Sequence, residues 1–343
     1  MRVLITGGTG YVGAYTVSAL LAAGHEVRLL VRDEARLARI VEPVGVDLAR
    51  LEVVAGDMTD RVAIDRAVEG VDAVIHAAAV VGALDRASAA LALETNVRGT
   101  ENVVTAALAA HCDPIIHISS VAAVYTPDAP VVTSDLAPAV GAASPYTKSK
   151  ALSERLVREH QAAGAPITII YPGGVCGPAA GDAYGEVAEG FVSMLKGGVV
   201  PLKDGGLSIL DVRDLANIIV TAVTPGAGPR RFMAGGALID MPAVGALLSE
   251  ATGRRIRVLP IPGAVFRGIG RVLDAVRSVV PFDTIYTAEA MDLLTRARPT
   301  DDRAVHDQLG IGYRPEIETA SALIAALYAG GRLSATQVGT IAQ

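Results

Sequence analysis

Tyr146 and Lys150, four residues apart, are where this sequence could move a proton. On a helix, positions i and i+4 share a face and lie about 5 to 6 Å apart. A phenol titrates near about pH 10 and exchanges protons poorly at neutral pH. A lysine ammonium beside it favours the phenolate. Tyr146 would then exchange a proton with a hydroxyl or carbonyl oxygen held against it. Ser144 as N-cap and Pro145 at the first helical position specify where that helix begins.

A dinucleotide site is legible at the opposite end of the chain. Arg2 to Thr6 reads as a short buried strand, and Gly7, Gly8, Gly10 and Gly13 follow at once. Glycine allows a tight turn and lets the backbone approach a pyrophosphate. The helix beginning around Tyr11, Val12 and Gly13 points unpaired N–H groups and its positive dipole end at the anion. Gly24 stops that helix, and Glu26 to Val31 forms the next strand. That strand ends at Arg32 and Asp33, with Arg32 standing 19 residues after Gly13, where a dinucleotide fold places its ribose discriminator. A carboxylate there repels a 2′-phosphate, whereas Arg32 pairs with one, so NADP is favoured and NAD stays open through Asp33.

Strands and helices alternate from there. Leu51 to Ala55, Val71 to His76, Ile115 to Ile118 and Ile167 to Tyr171 read as strands, with a long helix from about Ala87 to Ala110. The pattern predicts an α/β fold: a doubly wound parallel sheet of Rossmann type, with ligands at the carboxyl ends of its strands and a smaller C-terminal substrate lobe. The dinucleotide-binding domain is expected over 1–175, with 206–235 returning to it. The lobe takes 176–205 and 236–333, and 334–343 form a loose tail. Residues 260–282 are apolar with arginines at 267, 271 and 277; a helix buried on its apolar face is expected, a lid or surface-seeking helix being the alternatives.

Composition narrows the class. At 343 residues, with 51% hydrophobic residues and mean hydropathy +0.42, the chain can bury a full core. Its longest uncharged candidate span, Gln161 to Gly181, is broken by prolines and glycines, so no membrane span is expected. The N-terminus enters the first strand directly, without a secretory pattern. A net charge of −6 and scattered basic residues give no nucleic-acid footprint. Cys112 and Cys176 fit no metal or disulfide pattern and suit a reducing cytoplasm.

Thr6-Gly7-x-x-Gly10-x-x-Gly13 followed by Tyr146-x-x-x-Lys150 resembles the extended short-chain dehydrogenase/reductases, nearest the dihydroflavonol reductase and 3β-hydroxysteroid dehydrogenase group. The resemblance covers Met1 to about Leu333 and implies roles for further residues. Asp57 and Met58 would cap the adenine, although Asp57 serves equally as a helix cap, and Ala77, Ala78 and Ala79 would lie along the cofactor ribose. Asn96 would be structural. Ser119 and Ser120 end the fifth strand, and Ser120 would orient the substrate oxygen, with Ser119 the second choice and the count back from Val124-Tyr125 landing on Val121. Tyr171 to Val175, including Gly173 and Gly174, resembles the segment that packs on the nicotinamide, with Tyr171 standing where arginine is usual. Val121, Tyr125 and Tyr184 are expected to line an apolar substrate pocket, because residues around the serine and the sixth strand are apolar or aromatic.

Three functions compete. The first is an NADP(H)-dependent oxidoreductase of a small hydrophobic alcohol or carbonyl compound. The second is a nucleotide-sugar epimerase or dehydratase, which uses the same Tyr and Lys but holds a diphosphate. The third is a dinucleotide sensor without activity, which predicts a broken Tyr/Lys pair. Pro172-Gly173-Gly174, where epimerases carry an asparagine, favours the first. The resemblance leaves room for a homodimer and implies no metal.

Overall fold

A computed structural model describes residues 1–80, 86–142, 144–277 and 287–342. The chain opens with the expected alternation: β1 (Arg2–Thr6), α1 (Tyr11–Ala22), β2 (Glu26–Val31), α2 (Leu37–Val41), β3 (Leu51–Ala55), α3 (Arg61–Val68), β4 (Ala73–His76), α4 (Arg86–Ala109), β5 (Ile115–Ile118), α5 (Pro145–Ala162) and β6 (Ile167–Pro172). Then come β7 (Val175–Cys176), α6 (Ala188–Gly197), β8 (Val199–Val200), β9 (Gly206–Asp211), α7 (Val212–Thr221), β10 (Arg230–Ala234) and β11 (Ala237–Asp240). The remainder is α8 (Met241–Thr252), β12 (Arg257–Val258), α9 (Gly263–Arg277), α10 (Ala288–Thr295), α11 (Arg303–Leu309), α12 (Glu316–Ala329) and α13 (Ala335–Val338).

Seven strands form one sheet in the order β10-β6-β5-β4-β1-β2-β3, and every pairing within it is parallel. Its central strands are buried on both faces, which is why they read as continuous aliphatic runs rather than alternating ones. One layer, with α1 and α7, packs around Val17, Leu20, Ile218 and Ile219; the other, with α3, α4 and α5, packs around Ile64, Val103, Val104 and Val157. Strand order reverses between β1 and β4, so a crevice opens at the carboxyl ends there.

The lobe has a core of its own around Phe191, Leu195, Leu248, Leu323 and Leu327. β9 pairs with β7 and β11 in a three-stranded sheet, so the chain's return to the main domain starts at α7 and not at residue 206. Val305 of α11 packs in the main core, so this part of 236–333 lies against the nucleotide domain. Several polar contacts stitch lobe and domain together. The Tyr11 and Tyr15 hydroxyls donate to the Pro178 carbonyl at 3.0 and 3.1 Å. Asp214 accepts from the Arg314 backbone at 2.7 Å and pairs with its guanidinium, and Thr319 donates to Asp211 at 3.0 Å. Asp214 is therefore an anchor, and the N-cap of α7 is Asp211.

Two sequence expectations fail here. The tail beyond Ser334 is docked: Ser334 and Gln337 form a reciprocal capping box, and Val338 is fully buried in the lobe core. α9 has its inner face made by Gly263, Phe266 and Gly270, because only glycine lets the helix approach α10 so closely, leaving its long aliphatic stripe outside. Residues 278–282 of that segment lie outside the described residues. No helix among the described residues is long and apolar enough to cross a membrane.

Candidate active site

The glycine turn and α1 make an anion cradle. Gly7 has φ +82°, and a Cβ there would sit 2.6 Å from the Ala78 nitrogen, so the turn lies directly against the alanine triplet after β4. A Cβ at Gly13 would collide with the Gly7 carbonyl. The N-cap of α1 is Gly10, and no side-chain hydrogen bond caps the first turn, the arrangement that suits an anion at a helix N-terminus. The Tyr11 side chain is committed elsewhere, to Pro178, and burial pushes its phenol up.

At the adenosine end, Arg32 is three-quarters exposed and its guanidinium lies 3.8 Å from the Asp57 carboxylate. Asp33 is spent on the turn after β2, accepting from Ala35 N at 3.1 Å. Asp57 accepts from the Thr59 backbone and hydroxyl at 2.8 and 2.7 Å, while Asp60 is the N-cap of α3. Met58 is buried against Gly99 of α4.

The Tyr/Lys helix is set by three anchors. Ser144 caps α5, with Pro145 at its first position. Asn96 of α4 grips the segment after the alanines, accepting from Val80 N at 2.7 Å and donating to Val80 O at 3.0 Å, and also donates to Ser149 at 3.2 Å. Lys150 reaches the end of β5, donating to the Ile118 carbonyl at 3.3 Å. Burial lowers the Lys150 pKa, and the carboxylates of Glu186 and Glu154 act against that. Ser120, the next strand-end residue but one, accepts from Ala122 N at 3.2 Å, which fixes its hydroxyl oxygen and leaves its proton to be donated elsewhere. Ser119 is buried, and its hydroxyl has no partner among the described residues. Val121 and Tyr125 follow in the segment beside this end of the sheet, and the Tyr125 hydroxyl reaches across to the Arg296 carbonyl at 2.9 Å.

Three expected contacts are redirected. Tyr171 is fully buried on the α5 side of the sheet, its hydroxyl donating to Glu154 at 2.5 Å and accepting from Arg158 at 2.9 Å. Its side chain is thus core, held between Glu154 and Arg158. Tyr184 points into the lobe, against Gly330 and beneath the Arg332 guanidinium at 5.7 Å, rather than beside Ser120. Gly173 and Gly174 are required by packing, since a Cβ would strike Gly235 O and Ser208 O respectively; Val175 pairs with Leu210 of β9. A cavity of about 670 Å³ opens elsewhere, lined by Thr133, Thr300, Asp302 and Tyr313, and includes none of Ser120, Tyr146 and Lys150.

Sequence reading missed a buried histidine pair behind Lys150. His76 and His117 stack at 5.6 Å. The Thr100 hydroxyl gives its proton to Asn96 O at 2.8 Å, so it accepts from His76 Nε2, while Nδ1 accepts from Thr6 at 2.7 Å. Burial first and Lys150 second push His76 down to about 3; burial, His76 and Lys150 push His117 well below its ordinary value. Both rings are neutral in the folded state, whereas the unfolded chain protonates them below about pH 6.5. Stability should therefore be complete above that pH and fall as pH drops towards the folded pKa. His76 alone should remove about 2 to 3 kcal/mol between roughly pH 6.5 and 4.5, with His117 adding in the same direction. Urea unfolding across that range should show the decline, and His76→Gln should flatten it; an unchanged slope in the variant would refute this origin.

A strand-end glycine cradle, a parallel sheet with its crevice at the reversal of strand order, and a Tyr/Lys helix beside a strand-end serine together define an extended short-chain dehydrogenase/reductase. The model of the NAD dependent epimerase/dehydratase family matches residues 3–235, and the chain belongs to that family. It is an enzyme of the short-chain dehydrogenase/reductase kind acting on CH–OH groups. It is 28% identical over 316 residues to sterol demethylase protein B of Methylococcus capsulatus, covering 91% of this chain and 93% of that one. It is 29% identical over 284 residues to a 3β-hydroxysteroid dehydrogenase/Δ5→4-isomerase of Mycobacterium tuberculosis, covering 78% and 74%. Among solved structures, UDP-glucose 4-epimerase from Bifidobacterium longum, in complex with NAD+ and UDP, shares the fold at a TM-score of 0.73 and 19% identity, over 97% of this chain and 99% of that one.

Proposed function

We propose that the protein is an NADP(H)-dependent oxidoreductase interconverting a hydrophobic secondary alcohol and its carbonyl partner. One observation carries the reading: Tyr146 and Lys150 share a face of α5, and Lys150 is drawn to the Ile118 carbonyl, two residues before Ser120. The names of the sterol demethylase and hydroxysteroid dehydrogenase relatives support an apolar substrate.

When bound, the nicotinamide supplies or accepts hydride. The chain's own residues handle the oxygen. Ser120 donates to the substrate oxygen and holds it in place. Tyr146 gives that oxygen a proton during reduction and takes it back during oxidation. The Lys150 ammonium stabilises the phenolate and offers a donor to the cofactor ribose. Val121 and Tyr125 border the same strand end and present apolar surface to the substrate.

Cofactor choice rests on Arg32. Asp33 is occupied by its turn, and the Arg32 guanidinium is exposed beside Asp57, which supports pairing with a 2′-phosphate. Arg32→Ala should weaken NADP binding by about tenfold or more, as expected for losing a charge-assisted contact, and barely change NAD binding. Calorimetry with both cofactors tests it, and NAD binding tighter than NADP to the unaltered protein would refute it. The function as a whole is tested by following cofactor oxidation with ketosteroids, dihydroflavonols and aldehydes, and UDP-sugar turnover in parallel. Turnover of the sugars alone would replace this reading with the epimerase one.

A further inference from the structure

Of the helix's 15 residues, those on the outer face of α9 carry almost no polar groups. Val265, Ile269, Val272 and Val276 are 49, 41, 63 and 47% exposed, and their 4-3-4 spacing puts them on one stripe. Three other outward positions on the helix are alanine or glycine, and the one outward charge is Arg271. A surface helix of a globular protein normally turns such a stripe inward. Here the inward side is made by Gly263, Phe266 and Gly270, where α9 abuts Thr295 and Ala288 of α10, so the stripe has no room to be core.

We infer that α9 seats on an anionic lipid bilayer surface. Arg271 and Arg277 enter no ion pair among the described residues, Arg267 donates to the Thr295 hydroxyl at 2.9 Å on the inner side, and Asp274, the helix's one acid, accepts from the Ala288 N–H at 2.9 Å. Its three arginines outnumber that single carboxylate, so the helix is cationic as well as apolar, the combination that lies in a headgroup layer. A second copy fits less well. A helix of this length spans about 22 Å, and a strip about 10 Å wide covers roughly 220 Å², against about 800 Å² per partner in a stable interface. A bilayer demands no such complementary area. The surface also adjoins the site: α10 backs α9 and ends at Arg296, whose carbonyl holds the Tyr125 hydroxyl. Seating does not depend on which alcohol is turned over, so it stands or falls separately from the reaction proposed above.

Flotation of the full chain with vesicles tests this. Binding is expected to phosphatidylcholine vesicles containing phosphatidylglycerol, weaker binding to phosphatidylcholine alone, and weakening with salt in the mixed case. The double substitution I269D/V272D should reduce binding at least about tenfold, since two side chains lose their apolar burial, and R271E should reduce it by roughly tenfold. Both variants should keep cofactor affinity, which reports an intact fold. Absence of binding to the mixed vesicles, or equal binding by I269D/V272D, overturns the inference. So does a wild-type dimer that I269D/V272D converts to monomer without any vesicle binding, because the face is then a self-interface.

Discussion

Tyr146→Phe is expected to lower kcat by at least about 10²-fold, the contribution usual for a positioned proton donor, while NADP(H) affinity stays within about twofold. The substitution keeps the ring and its packing and removes only the hydroxyl proton, so the loss belongs to chemistry rather than to binding. Its neighbours are held independently of that hydroxyl. Lys150 is anchored on Ile118, and Asn96 fixes Ser149 and the loop after β4, so the geometry of the remaining site should survive. Steady-state kinetics with an active alcohol or ketone, together with cofactor titration, measures both quantities. A variant that keeps more than about a tenth of the wild-type rate would remove Tyr146 from the proton transfer.

Lys150→Met should behave differently, losing rate by at least about 10²-fold and weakening cofactor binding by about tenfold or more, as expected when a charged donor is lost. The ammonium is assigned two partners, the phenolate and the ribose, and methionine serves neither. The substitution also removes the donor to the Ile118 carbonyl, so thermal unfolding is measured beside rate and affinity to separate a loosened helix from lost chemistry. A folded variant with both rate and affinity impaired matches the assignment. Full cofactor affinity in Lys150→Met would confine its role to the tyrosine.

The sheet and the cradle were open to sequence reading because each rests on local chemistry. Strands buried on both faces write themselves as aliphatic runs, and Gly7 and Gly13 sit where a Cβ would strike backbone. Tyr146 and Lys150 need only one turn of helix to meet. The errors fall where a residue's environment comes from distant chain. Tyr171 lies on a strand whose end faces the crevice, but its side chain belongs to the α5 side, where Glu154 and Arg158 were waiting at an i, i+4 spacing. Tyr184 was judged apolar and near the sixth strand, yet its environment is set by Gly330 and Arg332, more than a hundred residues later. His76 ends β4 and His117 is next to last in β5, and only the pairing of those strands stacks them. The stripe on α9 shows the limit of periodicity: it reveals that one face is apolar, and two glycines on another face decide which one turns inward.

The phenol, carboxylate and hydroxyl ties between lobe and nucleotide domain also bear on how a ligand gets in. Tyr11 and Tyr15 are donors at the N-terminal end of α1, the element that cradles the anion, and they are bonded to the stretch after β7. Swinging the lobe outward as a rigid jaw would break those bonds and the Asp214–Arg314 pair together, a cost set against opening. Local adjustment of short segments and rotamers carries no such cost, so exchange of ligand is expected to report local loosening rather than a jaw-like stroke.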